Sequence, residues 1–262
     1  MANAIELAKK FIPMLDEVYK LSSLTAVLDG AAELAQQGAN ANELIIPKLD
    51  MQGLGDYNRN SGYVSGDVTL TNETVKCNFD RGRMFTVDYL DNLESAGIAF
   101  GRLSGEFIRT KVVPELDAFR FATYASASGI SKVATGAALA DGAAVVAALR
   151  AAVSEMDEDE VPQTERYLFI TPTLLGMVQD MDTTKSREVL QNFAGTVKVP
   201  QTRFYTAIEQ NDGTSSGEEA GGYKKGTGAA NINFMIIHKA AVIQFQKHVA
   251  PKIISPEQNQ TA

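Results

Sequence analysis

Hydrophobic and polar positions follow different rhythms in different stretches of this chain. At the N-terminus Ile5, Ala8, Ile12 and Leu15 fall at helical spacing, with Pro13 placed to bend or end the helix. Leu21, Leu24 and Leu28 carry a similar pattern up to Gly30. The apolar density is too low for a core helix, which suggests an arm that packs on another surface. From residue 38 to 88 the rhythm changes. Gly53, Gly55, Asn58, Asn60, Gly62, Gly66, Asn72 and Gly82 punctuate short alternating runs: Val75, Cys77 and Phe79, then Phe85, Val87 and Tyr89. Those runs predict β-strands joined by turns. Large apolar residues are sparse from Met51 to Thr74, so this ribbon is expected to lean on neighbours for its stability.

The strongest helical signal follows. Leu90, Leu93, Gly97, Phe100, Leu103 (or Ser104) and Phe107 share one face at three- and four-residue steps, and Val112, Val113, Leu116, Phe119 and Tyr124 resume it. Asp88 or Asp91 is a candidate cap, Pro114 a candidate kink, and Gly129 a candidate terminator. A helix over that whole run would be a rod of roughly 50 Å.

The last half predicts an α/β arrangement. An Ala-rich helix runs from Ala143 to Met156, capped by Asp141, with Val145, Val146, Leu149 and Val153 on its apolar side. Tyr167–Thr171 is a short apolar strand of the kind covered on both faces. Pro172 suits the first turn of the next helix. Residues 195–205 read as extended and 211–230 as a flexible Gly- and Ser-rich loop. Ile232–His238 and Val242–Gln246 predict two strands joined by a tight connection at Lys239–Ala241. No internal repeat is visible. The fold class expected from these elements is α+β.

Composition narrows the function more by exclusion than by evidence. The 262 residues carry a formal charge of −8, which argues against nucleic-acid binding by charge attraction alone. Cys77 is the single cysteine, so no internal disulfide or multi-cysteine metal site is expected. His238 and His248 stand ten residues apart without ligand spacing and read as structural. No run of about 18 apolar residues exists, and the N-terminus lacks the apolar core of a secretory signal. The acidic run Asp157–Glu160 points in several directions and opposes the helix dipole, so it should fray or pair with a basic surface. Gly226-Thr227-Gly228 lacks the third glycine and the preceding strand of a dinucleotide fingerprint. No nucleophile elbow or phosphate loop occurs. Neither a catalytic residue, a cofactor site nor a metal site is expected.

Several segments carry a resemblance. Lys111-Val-Val-Pro114-Glu-Leu-Asp-Ala-Phe-Arg120, Glu165-Arg-Tyr-Leu-Phe-Ile-Thr-Pro172, Val199-Pro-Gln-Thr-Arg203, His238-Lys-Ala-Ala-Val-Ile243 and Lys247-His-Val-Ala-Pro-Lys252 lie in an order of arm, ribbon, long helix and α/β region. In these features the chain resembles the major capsid protein of tailed double-stranded DNA phages, with the Hong Kong ninety-seven type fold. The resemblance implies an N-terminal arm over 1–37 and an extended β-ribbon loop over 38–88. A spine helix of the peripheral domain would follow over 89–129, then an axial domain over 130–250. Residues 251–262 would return toward the peripheral domain; family members usually continue with further strands, so the polar tail from Gln258 to Ala262 reads as short or truncated.

The function so implied is a virion coat protein, assembled in the host cytoplasm, that builds pentamers and hexamers of an icosahedral shell around packaged double-stranded DNA. Its partners would be copies of itself, DNA held without sequence specificity, and scaffold, portal and decoration proteins, with no membrane. Its working surfaces would be the ribbon at Met51, Leu54, Tyr57, Arg59 and Tyr63, continuing through Lys76, Arg81 and Arg83. The spine would contribute Leu93, Phe100, Leu103, Phe107 and Pro114, and an axial loop Glu218, Glu219, Tyr223, Lys224 and Lys225. Two rivals stay open: an encapsulin-like compartment shell, and a small-molecule-binding α/β enzyme built on 130–250.

Overall fold

The computed structural model describes residues 23–29, 36–37, 43–60, 62–76, 78–85, 103, 105–132, 136, 138–181 and 183–244. The chain divides into two compact units, Gly30–Thr86 with Ile243–Phe245, and the remainder. The architecture is mixed α+β, with several small sheets.

The smaller unit is a ribbon. Strand β1 (Gln36–Gln37) meets the start of β2 (Glu43–Met51), and β2 pairs antiparallel with β3 (Val68–Lys76) along its whole length. The register sets Leu49 opposite Leu70 and Met51 opposite Val68. The alternation at Val75, Cys77 and Phe79 placed a strand too late: β3 ends at Lys76, Phe79 is outside it, and Cys77 is outside the described residues. The reason is that the partner strand β2 sits upstream, where Ile45, Pro47, Leu49 and Met51 also alternate. The second run at Phe85, Val87 and Tyr89 lies largely outside the described residues, and Phe85 itself is not in a strand.

The larger unit is built on a three-stranded sheet of order β5-β4-β8. Central β4 (Arg166–Ile170) runs parallel to β5 (Gly195–Lys198) and antiparallel to β8 (Phe234–His238). Both faces are covered, which is why β4 is apolar without alternation. On one face Leu168 and Ile170 pack with Val145, Leu149, Leu174, Leu175 and Val178. On the other, Phe169 and Ile237 pack with Leu28, Phe121, Val199 and Phe204.

Four helices position these faces. Helix α1 (Val113–Ser126) carries Phe121, whose ring lies edge-on to Phe204 at 5.0 Å and Phe169 at 5.3 Å. Before α1, Ile108–Val112 forms a π-helical turn, so the chain runs helical through Pro114 without ending there. Pro114 lies in the first turn of α1, where its missing N–H is least costly. The earlier part of the expected long helix, including Leu93 and Phe100, lies outside the described residues.

Helix α2 (Gly142–Glu158) begins at Asp141, whose carboxylate accepts from Ala144 N at 2.7 Å, the cap expected from sequence. Its acidic end is pinned rather than frayed. The almost fully buried Arg166 reaches Asp157 at 2.8 Å and donates to the carbonyls of Pro162 and Val161. Helix α3 (Pro172–Asp180) starts on Pro172, and α4 (Thr184–Gln191) on a capping box between Thr183 and Ser186. Gly142 is required where it is: a Cβ there would lie 2.4 Å from the Met177 carbonyl oxygen.

Three further expectations are corrected. Over the described residues 23–29 the helical pattern read through Leu24 and Leu28 gives only a single 3₁₀ turn, Ala26–Leu28, with Leu28 fully buried beside Phe121 and Phe204. Residues 211–230 are not a plain loop: they contain β7 (Tyr223–Lys225), which pairs with β6 (Ile208–Gln210) in an antiparallel hairpin around 211–222. Val242–Gln244 are not a strand; β8 ends in the 3₁₀ turn Lys239–Ala241. Among the described residues no helix is long and apolar enough to cross a membrane.

Candidate functional site

The ribbon has two unlike faces. Directly paired residues of an antiparallel ladder lie on the same face, so Leu49, Leu70, Met51 and Val68 share one, together with Pro47 and Asn72. They are 58, 65, 61 and 67% exposed. Toward the Met51 end the opposite face carries Lys48, Asp50, Thr69, Thr71 and Glu73, with Lys48 ion-paired to Glu73; toward the Glu43 end it carries Ile46 and Val75. Every residue of β3 is exposed. A strand pair with an apolar face and nothing of its own to put on it is unusual, since contiguous exposed apolar surface generally marks an interaction site.

Beyond the paired strands, residues 52–67 close the ribbon. Asn58 and Gly62 exchange backbone hydrogen bonds of 3.1 and 2.7 Å, and Asn58 Oδ1 accepts from Asn60 N. Gly62 has φ +78°, which a side chain would strain. The tight turn brings the Tyr57 and Tyr63 rings to 4.9 Å. Leu54, Tyr57, Tyr63 and Val64 are all exposed, with Arg59 in the turn between the tyrosines. Lys76 ends β3, and Arg81 and Arg83 lie on exposed chain beyond it.

Sequence reasoning named Met51 and Leu54 on this unit but missed Leu49, Val68 and Leu70. The signal was present as two-residue alternation over 45–51 and 68–70. Polar neighbours and glycines on both sides diluted it.

The axial-loop candidates come together on the hairpin of the larger unit. Lys224 Nζ lies 3.0 Å from Glu218 Oε1 and 3.5 Å from Glu209 Oε2. Lys225 Nζ bonds Asn231 Oδ1 at 2.8 Å and sits 5.7 Å over the Tyr205 ring. Asp212 accepts from Thr214 N and Ser215 N, both at 2.8 Å, and from the Ser215 hydroxyl. That hydroxyl bond is the leading cause that holds the Asp212 carboxyl well below its ordinary value. Glu209 is lowered chiefly by the Thr227 backbone N–H, and Glu219 by backbone N–H groups, its own first. The Lys224 ammonium is raised by Glu218. Lys224 meets Glu218 and Glu209, while Asp212 and Glu219 are held by backbone N–H and hydroxyl donors, so these groups shape the turn of an acidic hairpin.

Leu103 and Phe107 are half-buried on the helical run ahead of α1. His238 Nδ1 accepts from Ala240 N, a turn-closing role. Among the described residues no group of three His, Cys, Asp or Glu side chains is placed to hold a metal ion. Among the described residues two surface features stand out: one apolar ribbon face and one charged hairpin. Comparison with protein-family models, with curated proteins and with solved structures found no match.

Proposed function

We propose that the chain is a structural shell subunit of the phage major-capsid type. Copies of it would associate into pentamers and hexamers, close into an icosahedral shell and hold packaged double-stranded DNA without reading its sequence. No catalytic step is assigned to it. The observation that carries this reading is the ribbon. Two nine-residue strands present Leu49, Met51, Val68 and Leu70 to solvent, and among the described residues the smaller unit supplies nothing to cover them. Covering each such side chain is worth roughly 1.5–3 kcal/mol. A second copy of the chain would supply that cover repeatedly and by symmetry. The five sequence segments that resemble the capsid family support the same reading, as do the net charge of −8 and the absence of catalytic motifs from the sequence.

Negative-stain electron microscopy of the purified chain, with light scattering on a sizing column, tests it. Closed shells, tubes or rings of five and six subunits are the expected result. A folded chain that stays monomeric under every assembly condition, including added scaffold or crowding agent, would overturn the reading. DNA inside the shells separates the virion role from a cargo compartment.

A further inference from the structure

A buried polar cluster in the larger unit joins segments that are remote in sequence. Asp117, on α1, is fully buried. Its Oδ1 accepts from the Ser23 hydroxyl at 2.8 Å and the Thr25 hydroxyl at 3.0 Å. Its Oδ2 accepts from Leu24 N at 3.0 Å and from Arg203 Nη1 at 3.4 Å. Arg120, one helical turn on, donates to Thr25 Oγ1 at 2.7 Å. Arg203 closes the 3₁₀ turn Gln201–Arg203, and the carbonyl of Thr202 in that turn accepts from the Tyr223 hydroxyl of β7 at 2.9 Å. Burial pushes the Tyr223 phenol up to about 12, so this donor keeps its proton throughout the neutral range.

One carboxylate thus takes donors from two pieces of chain: the N-terminal segment Ser23–Thr25, and the turn on which the β6–β7 hairpin rests. The backbone bonds Leu28 N to Thr25 O and Asp29 N to Ala26 O run inside that segment and do not attach it to the fold. Its attachment includes the Asp117 cluster and the packing of Leu24 and Leu28 in the core. When one set of donors swings away, water reaches the carboxylate through the gap and competes with the remaining donors for it, so their hold weakens as well.

We propose that Asp117 couples the N-terminal segment to the β6–β7 hairpin, so that loosening either loosens the other. Asp117 acts here as a positioning residue. The coupling does not depend on the shell reading and is measured on the unassembled chain. Under that reading it would link the arm of a subunit to its axial loop before any neighbour is present.

Hydrogen–deuterium exchange on the full chain tests it. Tyr223→Phe removes one hydroxyl and leaves Asp117 in place. Because coupling is reciprocal, exchange at Leu24, Leu28 and Asp29 should rise about threefold, for the loss of one neutral bond. Asp117→Asn should raise exchange about tenfold, for a charge-assisted bond, at those amides and in the hairpin alike. The Leu168–Ile236 pairing should stay at its wild-type rate. Wild-type exchange of Leu24–Asp29 in Tyr223→Phe overturns the coupling. So does an Asp117→Asn chain in which β4 and β8 speed up as much as the hairpin, because the carboxylate would then support the whole unit. Should Asp117→Asn not fold, the Tyr223→Phe measurement decides alone.

Discussion

Leu168 and Leu70 are both leucines inside antiparallel strand pairs, yet the first is fully buried and the second is 65% exposed. Leu168 lies on a central strand flanked by a helix layer, and its neighbours Phe169 and Ile170 are buried on alternate faces. Leu70 lies on β3, whose strand partner among the described residues is β2 alone. Backbone pairing is similar in the two places. What differs is whether the chain provides a second layer. Hydrogen-bonded ladders satisfy polar groups, whereas stability comes from the layer that removes apolar surface from water. The larger unit is complete in this sense and the ribbon is not.

That contrast predicts how substitutions divide between stability and association. The largest effect is expected at Phe121, where Phe121→Ala should lower stability by about 3–5 kcal/mol. Its ring contacts Phe169, Phe204 and Tyr124 with no solvent exposure, and denaturant unfolding checks the loss. A shift under 1 kcal/mol there would break the comparison. Gly142→Ala comes next, since the added Cβ must push against the Met177 carbonyl; overpacking of this kind costs about 1–3 kcal/mol. A thermal melt reads it directly.

On the ribbon the same kind of change should do almost nothing to folding. Leu49→Ser with Leu70→Ser should alter stability by no more than about 0.5 kcal/mol, while reducing or abolishing the particles seen by microscopy. If this double substitution lowered the melting temperature as Phe121→Ala does, the ribbon face would be covered within its own chain. The smallest effect is at the hairpin. Folded carboxyls held below their ordinary values stabilise above those values and stop doing so as pH falls through the folded ones. Glu209, Asp212 and Glu219 are all of this kind. The amide resonances of Thr214 and Ser215 should therefore hold their positions from neutral pH down to below the ordinary aspartate value of 3.8, and that of Thr227 down to below the ordinary glutamate value of 4.5. Movement already at pH 5 to 6 would show that these bonds do not form.

Much of the larger unit was legible in the sequence, because local chemistry dictated it. Asp141 before an alanine-rich run, Tyr167–Ile170 without a polar break, and Pro172 at a helix start each carry their structural meaning in adjacent residues. Leu28 did not, because its burial depends on Phe121 and Phe204, which the sequence places far away, and a single 3₁₀ turn leaves no periodicity. Arg166 was hidden for a related reason. An arginine at the head of an apolar strand reads as exposed until the backward reach to Asp157 and Pro162 is seen. The β7 strand at Tyr223–Lys225 was masked by glycines before it and lysines within it. The π-helical turn at Ile108–Val112 leaves no composition signal at all. On the ribbon, the strand pair was expected, but its register was not. The alternation that matters, over Leu49, Met51, Val68 and Leu70, is split by sixteen residues of turn chemistry (52–67).

The order in which β4 finds its partners bears on the order of synthesis. Strand β8 lies almost at the end of the described chain, and Leu28 near its beginning, yet both belong to the same core. On the ribosome this core cannot be completed until residues beyond 230 have emerged. The β2–β3 pairing is local and closes long before that. A nascent chain therefore displays a finished ribbon with a bare apolar face while its own core is still open. Slow, long-range closure of this kind leaves a window for aggregation. Such a chain should be produced in soluble form more readily at low translation rate or with a holdase chaperone that shields the ribbon until β8 has joined β4.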